Sequence, residues 1–214
     1  VQNLSDSLKL ESVGYIYKGE INIPLRYYFS KNDDKAKVNL HVCEKDHGFI
    51  SLNLYFRDFL RVKDELRDEY QKLKYSLLNS SDPHTRLIGF LSNYGRGKDT
   101  FVKKVLSESG FDSYIMNFSL HDKEISEAKK YIKRYCDDHN ISFDSFSFDF
   151  DNQSVKHVSL YKGASIVGHA VCELFADSSA LVKMLVTKDG IHDEKFNGLI
   201  NEWLIRSNYF VMSK

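Results

Sequence analysis

The chain has 214 residues, long enough for one large domain or two small ones with a buried core. Thirty lysines and arginines balance thirty aspartates and glutamates, so net charge lends no support to an electrostatic nucleic-acid binder, and 15 Phe with 13 Tyr exclude a disordered chain. Cys43, Cys136 and Cys172 are odd in number, far apart and in no CxxC pair, which argues against a disulfide scaffold or a zinc site. They suit a reducing cytoplasm.

In chain order, Val13 to Tyr17 and Leu25 to Phe29 are rich in β-formers. The polar cluster "SKNDDK" separates the second of these from Lys37–Cys43, which predicts a hairpin. The stretch from Ser51 to Leu78 reads as one amphipathic helix, with Leu66, Tyr70, Leu73 and Leu77 on one face. Asp82 and Pro83 suit the start of another helix. A third runs through "KDTFVKKVLSES" and stops at Gly110.

Beyond Gly110 the texture changes, and a boundary is expected near residues 110 to 117. "EISEAKKYIKRYCDDHN" is amphipathic helix, and "FDSFSFDFDNQ" alternates like a half-buried strand. "VKHVSLYKGASIVGHAVCELF" reads as two strands joined at Lys162-Gly163. "ALVKMLVTK" is a further strand, "HDEKFNGLINEWLIRSN" a helix and "YFVM" a last short strand. The fold class expected is α+β or α/β, in two modules. The start "VQNLSDSLKLES" lacks a charged flank and an apolar h-region, and no apolar run approaches the roughly 18 residues of a membrane span. A soluble cytoplasmic protein with no membrane partner is expected.

"SNYGRGKDTF" invites a phosphate-loop reading and fails it. A Walker loop needs Gly where Ser92 stands and Ser or Thr where Asp99 follows Lys98, and "HTRLIGFL" before it reads as helix rather than strand. Arg26 and His41 fall on neighbouring predicted strands. Arg57 and Arg61, four apart, share a helical face, with Asp58 able to offset part of their repulsion. Together with Lys98 they could line a site for a phosphate or carboxylate ligand. The alternative is surface ion pairs around a satisfied core histidine.

The blocks "GYIYKGEINIPLRYYF", "NLHVCEKD", "LYFRDFLR", "EYQKLK" and "YGRGKDTFV", in that order, resemble the GrpB-like family, whose fold is of nucleotidyltransferase type. In that family a Tyr, a Lys and an apolar pair recur on the final helix, here Tyr94, Lys98, Phe101 and Val102. The resemblance implies a domain over residues 1–112. It also implies a Gly-Ser motif and metal-holding carboxylates that would precede Val1, so magnesium is expected only if such a segment supplies them.

Residues 113–214 resemble the GNAT superfamily of acetyl-CoA-dependent N-acetyltransferases. The likeness rests on two antiparallel strands with "KG" at the turn, "IVGHA" on the second, a strand ending "LVT" and a loop into the helix of Leu199 and Ile200. It implies acetyl-CoA at Val186, Gly190, Ile191 and His192, with an amine or other small molecule as substrate. Glu173, His169 and Tyr209 are the acid–base candidates it implies. Against that, "DGIHDEKFNG" holds neither the Arg nor the Gln of the family's pyrophosphate grip and puts Asp193 and Glu194 near the helix start. The expected function is a transferase joining both modules. The alternative is a non-catalytic binding protein that keeps both scaffolds; oligomeric state, nucleotide and acceptor are not legible.

Overall fold

A computed structural model of the chain describes residues 9–32, 37–80, 97–146, 152–188, 190 and 192–212. The fold is α+β, with two sheets among the described residues. The chain divides into two compact units, residues 48–113 and the pair of segments 1–47 and 114–214. One border, between Ser113 and Tyr114, lies next to the expected boundary. The other, between His47 and Gly48, has no composition change to mark it.

The first sheet is antiparallel in the order β1 (Ile16–Tyr17), β2 (Arg26–Asn32), β3 (Lys37–Cys43). The expected hairpin is present, with Tyr28 opposite His41 and Arg26 opposite Cys43. It starts at Arg26 rather than Leu25 for a backbone reason. Leu25 sits at φ 65°, outside the β region, and donates its N–H to the Glu20 carboxylate instead of a strand. Its side chain joins the core of the second sheet.

That second sheet runs β4 (Tyr114–Phe118), β5 (Val155–Lys162), β6 (Ser165–Leu174), β7 (Ser179–Thr187), β8 (Phe210–Val211). The first four strands are antiparallel; β8 lies parallel to β7. The helix of Asp122–His139 packs on one face through Tyr131, Ile132 and Cys136 against Val171, Met184 and Val186. The helix of Asp193–Arg206 covers the other through Phe196, Ile200, Trp203 and Leu204 against Val158, Leu160, Ala170 and Cys172. Both buried sets recur at three- and four-residue spacing, the signature of one apolar helix face. Residues 114–118, left as boundary by the sequence reading, form edge strand β4. Its side chains Ile115, Met116 and Phe118 are buried.

The unit of residues 48–113 is helical. What reads as one helix from Ser51 to Leu78 is two, α1 (Gly48–Val62) and α2 (Asp64–Ser80). Lys63 separates them, its carbonyl accepting the N–H of Arg67, and Asp64 and Glu65 set negative charge against the new helix's N-terminal dipole. α3 (Asp99–Ser109) ends as expected at Gly110, which takes the left-handed conformation at φ 70°. Leu60, Leu66, Phe101 and Val105 form the core here, with Tyr70 stacked on Phe101 at 5.2 Å. The two helices that pack the second sheet are α4 (Asp122–His139) and α5 (Asp193–Arg206). Asp82, Pro83 and Tyr94 lie outside the described residues. Of the strand read in "FDSFSFDFDNQ", Phe143–Ser145 is a 3-10 turn, and 147–151 are likewise outside.

The segment before β2 is fastened to the second sheet by polar groups as well as by Leu25. Trp203 donates its indole N–H to Glu20 at 3.1 Å, Asn22 donates to Asn117 at 3.0 Å, and Phe118 donates its backbone N–H to the Asn22 carbonyl at 2.8 Å. Arg26, 2% exposed, donates to the Glu20 carbonyl and to Asn22. Truncating Leu25 to alanine should cost about 2–5 kcal/mol through the cavity it leaves. Trp203 is the sole tryptophan, so its fluorescence in a urea titration reports on this core directly. A loss below about 1 kcal/mol would mean that Leu25 is not a structural part of the second sheet's core.

Candidate functional site

The sequence-derived cations fall into the two compact units. Arg26 and His41 belong to the unit with the sheets; Arg57, Arg61 and Lys98 belong to the helical one. Arg26 is buried and spends its guanidinium on the turn before β2, where burial lowers its pKa to about 10. His41 stacks on Tyr28 at 4.9 Å. Although His41 is an exposed residue, partial desolvation of its ring and the nearby Arg26 charge take its pKa down to about 4. It is neutral at pH 7.

Arg57 makes a two-pronged pair with Asp58 at 2.8 and 2.9 Å, and Arg61 reaches the same carboxylate at 3.3 Å. All three side chains are exposed, so the cluster adds little stability. Asp58 offsets the repulsion as the spacing implies. Lys98 sits just ahead of α3, its pKa lowered by burial and then by Lys74.

In the second sheet the chemistry-bearing side chains sort by strand alternation. His157 and Ser159 on β5 and His169 on β6 point to the α4 face, Ser159 lying opposite His169. They form a buried hydrogen-bonded chain. Ser119 Oγ meets Ser159 Oγ at 3.2 Å, Ser159 meets His169 Nδ1 at 2.9 Å, and His169 Nε2 meets His157 Nδ1 at 3.3 Å. His169 is fully buried, and desolvation with the adjoining His157 drives its pKa to about 3. A neutral, sealed imidazole satisfies its neighbours; it meets no substrate in this arrangement. The sequence reading missed Ser159 and His157 as its partners, yet "HVS" inside an apolar strand places polar groups at i and i+2, on one buried face.

Glu173 lies on the same face of β6 as His169 but is ion-paired with Lys183 at 2.9 Å. A register step between Val171 and Cys172 leaves Lys183 unmatched on β7, a bulge that turns its side chain toward Glu173. Tyr209 packs instead on the core shared with α5. The three acid–base candidates are therefore not brought together.

Val186, buried, packs under α4 rather than facing a cleft. Gly190 adopts φ 70° in the turn into α5, a conformation that favours glycine. Ile191 lies outside the described residues. His192 is buried and shares a 2.7 Å hydrogen bond with the Tyr114 hydroxyl. Thr187 donates its hydroxyl to Asp193 at 2.6 Å, tying the end of β7 to the first turn of α5. Gly168 permits this packing, because a Cβ there would stand 2.8 Å from the Phe196 ring. Cys172, buried in an apolar strand, has its thiol pushed up to about 12 by desolvation, the behaviour of a small hydrophobe rather than a nucleophile.

The feature best placed to take a ligand is the edge of β7. β8 pairs with it at Ser179 and Ala180, and among the described residues no pairing continues beyond Ala180, while β7 runs on to Thr187. Val182, Leu185, Leu199 and Tyr209 are partly buried apolar side chains packed on the same core. Among the described residues no group of three or more His, Cys, Asp or Glu could hold a metal ion, and no helix is long and apolar enough to cross a membrane.

The family model of the GrpB protein matches residues 1–108, just over half of the chain. A curated protein, the UPF0157 protein YqkA of Bacillus subtilis (strain 168), is 33% identical over 95 residues, 44% of this chain. The matched region is 26% of that relative, so the chain spans about a quarter of its length. No solved structure matches the chain.

The histidine chain has a pH consequence. His169 is about 3 in the folded protein and 6.5 as an unperturbed group, so below pH 6.5 the unfolded state takes up a proton that the folded state refuses. Stability from this group is intact above pH 6.5 and is lost as pH falls toward 3. Urea titrations of His169→Gln and wild type between pH 7 and 4 should therefore converge as pH falls. Parallel stability curves for the two would show that His169 is not held neutral.

Proposed function

The chain belongs to the GrpB family, and from that premise we propose a transferase-type protein with two parts. Family membership suggests a nucleotidyltransferase-like fold for the first. The second is an acyltransferase-like part, similar to the GNAT superfamily, that binds a thioester donor of the acetyl-CoA kind and serves an amine acceptor. The observation that carries this reading is the parallel β7–β8 pair, joined through α5 and paired at Ser179 and Ala180 among the described residues, with β7 running on to Thr187.

The donor's two ends fit this chain unequally. Its amide-bearing arm suits the extended β7 strand and the apolar side chains Val182, Leu185, Leu199 and Tyr209 beside it. Its diphosphate end does not match the start of α5, where Asp193 and Glu194 already place negative charge against the helix dipole. Bound there, a thioester would supply an electrophilic acyl carbon; the chain's own contribution is the backbone edge that orients the arm.

A second reading, binding without turnover, is favoured by a separate observation. Glu173 is held by Lys183 and His169 is sealed beneath α4, so neither is poised to take an amine's proton. For the GrpB part, the exposed Arg57 and Arg61 are the cations best placed to meet a phosphate or carboxylate, and magnesium would need carboxylates beyond those described.

Two measurements test these readings. A thermal scan of the full chain with millimolar acetyl-thioester should raise the melting temperature, since a ligand that binds only the folded state stabilises it. No shift defeats the donor-binding reading, and a shift with no acetyl transfer to a panel of primary amines selects binding without turnover. Magnesium-nucleotide titration should weaken at least several-fold in Arg57→Ala with Arg61→Ala. Equal binding in both proteins removes the arginines from any anion site.

A further inference from the structure

We infer that Tyr114 and His192 form a nucleophile–base pair that takes an acyl group from an activated aryl ester or thioester onto the Tyr114 oxygen. The inference goes beyond the donor-binding reading above and does not depend on a coenzyme being held at the start of α5.

The pair is built by the second sheet. Tyr114 opens edge strand β4, is partly exposed, and packs on the core shared with α5. His192 closes the connection from β7 into α5 and is 8% exposed. The Tyr114 hydroxyl and His192 Nδ1 stand 2.7 Å apart, and the two rings meet edge to face with centroids at 5.4 Å. A hydroxyl in hydrogen-bond reach of an imidazole, with the imidazole fixed by burial, is the arrangement that activates a weak oxygen nucleophile. A third group adds to it. Lys162, opposite Tyr114 in the β4–β5 register, holds its ammonium 5.7 Å from the centre of the phenol ring. Negative charge that grows on the phenol oxygen as its proton leaves therefore meets a cation.

Access separates this pair from the other candidates. Ser159 and His169 are also a hydroxyl and an imidazole in hydrogen-bond contact, at 2.9 Å, but both are shut inside the sheet, at 1% and 0% exposure. Cys172 is buried, and desolvation keeps its thiol protonated. Glu173 is engaged by Lys183. In the Tyr114–His192 pair the base lies inside and the nucleophile lies nearer the surface, so an electrophile can arrive at the oxygen while the imidazole stays shielded from water.

The step balances within the pair. The Tyr114 hydroxyl gives its proton to His192 Nδ1 as its oxygen bonds to the acyl carbon. The donor's carbon–sulfur or carbon–oxygen bond breaks, and the imidazolium returns the proton to the departing thiolate or phenolate. The products are an aryl ester on Tyr114 and a free thiol or phenol. An aryl ester keeps its acyl group transferable to an amine, because a phenolate leaves readily.

The experiment treats the full chain with p-nitrophenyl acetate near neutral pH and maps acetylation over its 13 tyrosines by peptide mass spectrometry. Release by hydroxylamine marks the aryl ester. Tyr75, 60% exposed on α2, is the reference. Tyr114 should acetylate at least tenfold faster than Tyr75 although it is the less exposed of the two. His192→Asn, which can accept the hydroxyl's hydrogen bond but not its proton, should remove that excess and leave Tyr75 unchanged. If that variant does not fold, Lys162→Met takes its place and should slow Tyr114 several-fold. A Tyr114 rate no higher than that of Tyr75 overturns the inference. So does a Tyr114 rate within twofold of wild type in folded His192→Asn, or in Lys162→Met where it stands in. None of these results bears on the thermal scan for donor binding, which a site without a nucleophile passes equally well.

Discussion

The hydrogen bond from the Trp203 indole to Glu20 marks the constraint on which the two-sheet unit depends. It joins residues 183 positions apart, and around it the segment from Glu20 to Arg26 becomes part of the second sheet's core. Leu25 supplies apolar bulk beside Phe118 and Trp203, while Asn22 bonds Asn117 and the backbone of Phe118. Burial raises the pKa of Glu20, which bonds to Leu25 and Trp203, with the Arg26 charge, partly offset. Removing one partner would strand a half-desolvated carboxylate, the costly way to break such a group. This is why a family match ending at residue 108 does not mark the edge of a compact unit.

The same packing decides what the polar side chains can do. A sheet covered on both faces leaves no solvent for groups in its middle, so Ser119, Ser159, His169 and His157 bond one another and burial holds His169 neutral. At the start of α5, Asp193 and Glu194 put negative charge against the helix dipole, which stabilises the helix by roughly 0.3–1 kcal/mol for each acid and works against an anionic ligand.

How much of this was legible depends on the range of the interaction. Helices α3, α4 and α5 follow from periodic apolar residues and end signals such as Gly110, because the helical repeat is a property of adjacent residues. The break between α1 and α2 was hidden, since a helical pattern carries across Lys63 and only the acids at Asp64 and Glu65 hint at a new start. Strand β4 was missed because a five-residue edge strand shows too few alternations to stand out. Among the site residues, the Arg57–Asp58–Arg61 cluster was readable from its spacing. The pairing of Glu173 with Lys183 was not, as it depends on a bulge in the register of two strands.

By itself the sequence determined the α+β character, the helices, the hairpin, the β5–β6 turn at Lys162-Gly163 and the GrpB likeness, all carried by local pattern and residue type. Tertiary structure alone decided that residues 1–47 fold with 114–214, that His169 is sealed and that Tyr209 faces away from Glu173 and His169. Those outcomes depend on which distant surfaces meet. Leu25 shows the reason: it reads as a strand residue, but Glu20 takes its N–H and the core around Trp203 takes its side chain, so contacts remote in sequence outweigh its local preference.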